Sequence, residues 1–154
     1  MPSPFRVDDT FFNRRSHVRM ARHTFEFNHF FRGVVEQDFP EDLLVPFDLP
    51  EKASDYEIFT HLGGEKATRV TLAEIWRQME CQPNGEPGAL FNDGRVNKFY
   101  ALSGSSGLRS VNIKWFVPGL LSNAYAVEGW RADTYALGNF KWDPGLRVFS
   151  RKKS

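Results

Sequence analysis

At 154 residues, 41% hydrophobic and 15% aromatic, the chain has the size of one domain and can bury about two-thirds of its unfolded surface, which excludes a disordered composition. It contains no run of about 18 uninterrupted apolar residues and no apolar stretch near its N-terminus, so neither a transmembrane helix nor a secretory signal is expected, and cytoplasm is the default location. The net charge of +1 predicts no global attraction to polyanions, and Cys81, the single cysteine, excludes an internal disulfide and the usual thiolate zinc cages.

Charge is unevenly distributed along the chain. Residues 1–32 hold six arginines against Asp8, Asp9 and Glu26, and residues 36–57 hold eight acids against Lys52. Ten basic residues lie between Arg95 and Lys153 against Glu128, Asp133 and Asp143. Basic ends flanking an acidic centre neutralise one another in the fold or between copies.

Residues 1–42 form a basic, Phe-rich segment expected to pack on a small domain spanning 43–154. Within it Thr24-Phe25-Glu26-Phe27-Asn28-His29-Phe30 alternates with period two and reads as a strand. His17, His23 and His29 are six residues apart, a spacing that metal ligands on one helix face do not use, so no metal and no cofactor are expected. Arginine interleaved with phenylalanine is also the composition of a single-stranded nucleic-acid binder. Arg14, Arg15, Arg19 and Arg22, with Arg151, Lys152 and Lys153 at the other end, are the candidate phosphate contacts.

Residues 36–53 read as a linker, since Pro40, Pro46 and Pro50 remove backbone donors. Ser54 with Glu57 forms a capping box and Gly63-Gly64 supplies a stop, which predicts a helix with Tyr56, Phe59 and Leu62 inward. The alternative is a Gly-Gly hairpin joining Tyr56–Leu62 to Ala67–Leu72. Thr71 and Glu74 make a second capping box, and Leu72, Ile75, Trp76 and Met79 fall on one helical stripe. Cys81, near the end of that helix, reads as a small buried hydrophobe.

From Val96 onward strand signals dominate. Val96–Leu102 leads through the Ser- and Gly-rich tip 103–107 to Val111, Ile113, Trp115 and Val117, which alternate with Asn112 and Lys114. Pro118-Gly119 and Asp143-Pro144-Gly145 mark reversals before Leu146-Arg147-Val148-Phe149. The fold class expected is α+β: a C-terminal antiparallel meander of four to six strands with one or two short helices packed on one face.

Leu62-Gly63-Gly64-Glu65-Lys66-Ala67, Thr71-Leu72-Ala73-Glu74, Asn84-Gly85-Glu86, Asn97-Lys98-Phe99-Tyr100, Gly129-Trp130 and the closing Arg147-Val148-Phe149-Ser150-Arg151 resemble a group of small uncharacterised bacterial proteins ending in an R-V-F-S-R tail. The similarity covers residues 43–151; residues 1–35 and 118–128 depart from it. It implies a recurring small domain and no particular chemistry.

No catalytic signature emerges. Glu74 and Glu80 suit capping or surface roles, and His61 near Asp55 and Glu57 makes no triad by spacing alone. The leading expectation is a non-enzymatic protein-interaction or ligand-binding module that contacts a protein partner or a second copy through Trp115, Tyr125, Trp130, Tyr135 and Trp142. Single-stranded nucleic-acid binding through the basic ends is the alternative, and a small hydrolase without a recognisable signature is the third.

Overall fold

A computed structural model describes residues 4–37, 44–119 and 127–151. Tyr125, Lys152 and Lys153, and the acidic and proline-containing stretch 38–43, lie outside the described residues. The elements in chain order are β1 (Phe5–Arg6), a 3-10 turn (Val7–Asp9), α1 (Phe25–Phe31), β2 (Val35–Glu36), β3 (Leu44–Asp48), β4 (Ala53–Ser54), α2 (Asp55–His61), α3 (Glu65–Thr68), α4 (Leu72–Glu80), β5 (Asn97–Leu102), β6 (Leu108–Phe116), β7 (Gly129–Ala136), β8 (Lys141–Trp142) and β9 (Arg147–Arg151). The fold is α+β.

β5, β6 and β7 form the expected antiparallel meander, with Tyr100 opposite Ser110 and Trp115 opposite Trp130. The sheet is nevertheless mixed. β9 enters between β3 and β5, running parallel to β5 and antiparallel to β3, so the strand order is β3-β9-β5-β6-β7. The stretch 44–48, expected to be linker, is an edge strand: Pro46 sits opposite Phe149, where a missing N–H is tolerated because only one side of the strand is paired.

Both capping boxes close. Glu57 N–H donates to Ser54 Oγ while Ser54 N–H donates to Glu57 Oε1, and Thr71 and Glu74 exchange the equivalent bonds. Gly63 and Gly64, at φ 97° and 109°, end α2 in the left-handed region, and Glu65–Thr68 then coils as α3, so the hairpin alternative does not form.

The segment Thr24–Phe30 is helical, not extended. Thr24 caps α1 by accepting from Phe27 N–H at 3.3 Å, and the phenylalanines pair at the i, i+4 spacing of a helix. Phe27 stacks on Phe31 at 4.9 Å in the core, and Phe25 stacks on His29 at 6.1 Å outside. A row of phenylalanines at 25, 27, 30 and 31 satisfies both periods, and the cap decides between them.

The two faces of the sheet are covered differently. Phe99, Ala101, Val111, Ile113, Trp130 and Phe149 pack with the α4 stripe and with Val7, Phe11, Val18, Phe27 and Phe31, so the N-terminal segment shares one core with the sheet. On the opposite face Ile58 and Phe59 of α2 meet Tyr100, Leu146 and Val148. Helices thus cover both faces, not one, because β5 carries apolar side chains on each.

Residues 10–23 run as an irregular strap across the start of β7. Ala21 N–H donates to Trp130 O, Trp130 N–H donates to Arg19 O, and Arg19 N–H donates to Pro83 O at 2.7 Å. Gly129 permits this approach, since a Cβ there would lie 2.7 Å from the backbone of Met20 and Ala21. Further along β7, Asp133 accepts from Thr134 N–H and from Thr24 Oγ1.

Trp76 is buried against Phe11 at 5.0 Å. Trp76→Ala should therefore cost about 3–5 kcal/mol, whereas Thr71→Ala, which removes only a cap, should cost about 1 kcal/mol. Urea denaturation distinguishes them, and equal midpoints for Trp76→Ala and wild type would place the stripe in solvent.

Candidate functional site

The second face of the sheet carries an unusual charge. Strand alternation puts Lys98 and Tyr100 of β5 on that face opposite Asn112 and Ser110 of β6, and α2 with β8 closes over them. Lys98 is fully buried. Its Nζ donates to Asn112 Oδ1 at 3.2 Å and to Ser110 Oγ, and it lies 4.0 Å from Asp55 Oδ1 and 3.2 Å from the centre of the Trp142 ring.

Asp55, the first residue of α2, is the counter-charge. Its Oδ1 accepts from Tyr100 OH at 2.7 Å and from Trp142 Nε1 at 2.8 Å, and its Oδ2 accepts from Gly138 N–H at 3.2 Å. Burial pulls the Lys98 ammonium down to about 7, with the Asp55 charge opposing the fall. Burial, reinforced by the same carboxylate, pushes the Tyr100 phenol far above its ordinary value.

Over this cluster lies an aromatic patch. Trp142, half-buried, meets Tyr135 and Phe140 edge-to-face at 5.3 Å each. Tyr135 is 44% exposed and Phe140 70%. Burial and a bond from its OH to Asp133 Oδ2 push Tyr135 up to about 12, so it presents a neutral phenol. Lys141 and Glu57 form a 3.0 Å ion pair beside it.

Of the aromatics picked from sequence, the structure brings together Tyr135 and Trp142. Trp115 and Trp130 do not belong to a surface: they pack edge-to-face at 5.2 Å in the core beneath α4, because their β6–β7 register places them on the other face. Trp130 Nε1 is satisfied by Gln82 O at 2.7 Å. Phe140 escaped notice in the sequence, although its place two residues before Trp142 in a short connection was a usable signal. Lys98 escaped because a lysine alternating with apolar residues reads as a solvent-facing position.

The candidate phosphate contacts also divide. Arg14, Arg15, Arg19 and Arg22 lie exposed on the strap, and among the described residues none has an ion-pair partner. Arg151 is instead committed to the fold, bridging Glu74 at 2.8 Å and Arg69 O at 2.9 Å. Glu80 pairs with His17 at 2.9 Å, His61 lies against Phe47, and Cys81 is exposed at the end of α4, not buried.

The Lys98–Ser110 contact has the composition of an amine base beside a hydroxyl nucleophile, but both groups are fully buried and Trp142 covers the amine. A shallow cleft lined by Asn92, Asp93, Gly94 and residues 114–117 opens at the far end of β6, away from Ser110. Among the described residues no His, Cys, Asp and Glu group could hold a metal, and no helix is long and apolar enough to cross a membrane. The chain matches no protein-family model, no curated protein and no solved structure.

Because unfolding returns Lys98 to its ordinary 10.5, the unfolded chain keeps a proton that the folded chain sheds above about 7. Stability should therefore rise with pH between those values, by up to about 1.4 kcal/mol per unit, with no contribution to the slope at lower pH. Urea midpoints across this window should climb more steeply for wild type than for Lys98→Met; parallel curves would mean that the buried amine keeps its proton.

Proposed function

We propose that this chain is a non-enzymatic protein-interaction module whose contact surface is the patch of Tyr135, Phe140 and Trp142. The carrying observation is that Trp142 contacts both Tyr135 and Phe140 while those two rings remain open to solvent. Trp142 is held on its edge by Asp55 and on its face by Lys98. A ring fixed in this way loses little conformational freedom when a partner covers it, which favours a pre-formed contact. The adjoining Lys141–Glu57 pair supplies the polar rim that such surfaces carry. Catalysis is the weaker reading, since the amine and hydroxyl that could perform it lie beneath the patch.

The reading is tested by selecting binders from a displayed library of unstructured peptides and titrating them against intrinsic tryptophan fluorescence. Selected peptides should perturb Trp142 and bind Phe140→Ala and Tyr135→Ala at least about tenfold more weakly, the loss expected for an aromatic anchor. Sedimentation velocity over a wide concentration range reports whether a second copy is the partner. A library that yields no binder together with a monomer at every concentration, or binders indifferent to both substitutions, would sink the reading.

A further inference from the structure

Beyond the aromatic patch, we infer that the strap carrying Arg14, Arg15, Arg19 and Arg22, together with the Phe25–His29 ring pair, is a binding surface for single-stranded nucleic acid. Four exposed guanidinium groups fall within nine residues, and none is neutralised by a carboxylate among the described residues. Several arginines elsewhere are occupied. Arg95 pairs with Asp93, Arg147 with Asp48 and Arg151 with Glu74, while Arg109 lies over the Phe30 ring and donates to Thr134. Glu80, an acid that reaches the strap, is engaged by His17.

The backbone that carries these cations is held in place. The strap is bonded through its backbone to Trp130 and Pro83, and it can come this close because residue 129 has no side chain. Asn13 adds an internal turn by accepting from Arg15 N–H at 3.0 Å. A chain already fixed loses less entropy when it meets a phosphate backbone than a loose tail does.

The neighbouring ring pair selects among polyanions. Phe25, three residues after Arg22, is 79% exposed and lies nearly parallel to His29, with planes 15° apart. An exposed aromatic plane beside arginines stacks on an unpaired base, whereas a duplex or an acidic headgroup offers it no partner. The strap also has no helix of the kind that enters a major groove.

Fluorescence anisotropy with labelled oligo(U) and oligo(dT), and with a blunt duplex of the same length, tests the proposal on the full chain. With four phosphates contacted, log K should fall against log salt with a slope of roughly −3, a loss of roughly fiftyfold between about 50 and about 200 mM. The variant R14Q/R15Q/R19Q/R22Q, whose changes are all exposed, should keep its circular dichroism and urea midpoint while losing both binding and salt dependence. Phe25→Ala should weaken the single strand by roughly tenfold and leave the duplex unchanged. Phe140→Ala should bind the oligonucleotide as wild type does, which separates this surface from the aromatic patch. The proposal is overturned by absence of binding at low salt, by a folded quadruple variant that binds like wild type, or by a duplex that binds as tightly as the single strand.

Discussion

The carboxylate of Asp55 is the point on which the second face of the sheet depends. Four groups from different parts of the chain converge on it: the Tyr100 hydroxyl, the Trp142 indole, the Gly138 amide and, at 4.0 Å, the Lys98 ammonium. Two opposite charges out of water are costly, and breaking such a pair is far worse than never having it, because the survivor remains buried. The hydrogen bonds from Tyr100, Trp142 and Gly138 offset that cost, and they also fix where α2, β5 and the β7–β8 connection sit relative to one another. The solvent-facing rings therefore inherit their orientation from an ion pair below them.

The first face is organised by packing, with polar links only at its margins. Glu36, in β2 of the N-terminal segment, accepts from the Leu72 and Ala73 amides at 2.8 and 2.9 Å and so fills the open end of α4. Burial raises its carboxyl above the ordinary range while those same amides oppose the shift. Glu74 in the same turn holds Arg151. The start of α4 thus joins the N-terminal segment to the last strand, and the strap crosses β7 from a position that the core defines.

What the sequence made legible was local. The capping boxes at Ser54 and Thr71, the α4 stripe and the β5–β6–β7 meander each rest on neighbours within a few residues, and each forms. The insertion of β9 beside β5 was not legible, because it depends on a pairing between Lys98 and Val148 that no nearby residue encodes. The α1 segment carries two periods at once, and the Thr24 cap settles what alternation alone does not. For the site, Tyr135 and Trp142 could be picked as aromatic, but the burial of Trp115 and Trp130 follows from a register shared by two strands. Lys98 and Asp55 lie 43 residues apart and read separately as surface groups; only the closure of α2 and β8 over the sheet makes them a pair.

The two outer strands of the sheet share a property with consequences for assembly. On β3, Pro46 offers no amide; on β7, the Trp130 amide is already bonded to the strap, and the Thr134 amide is taken by the Asp133 side chain. A sheet grows by adding strands to unsatisfied margins, and here both margins are blunted, one by a missing donor and one by donors already spent. Fibrillar stacking through the sheet is thereby disfavoured even at high concentration, and contacts between molecules fall to side chains on the faces.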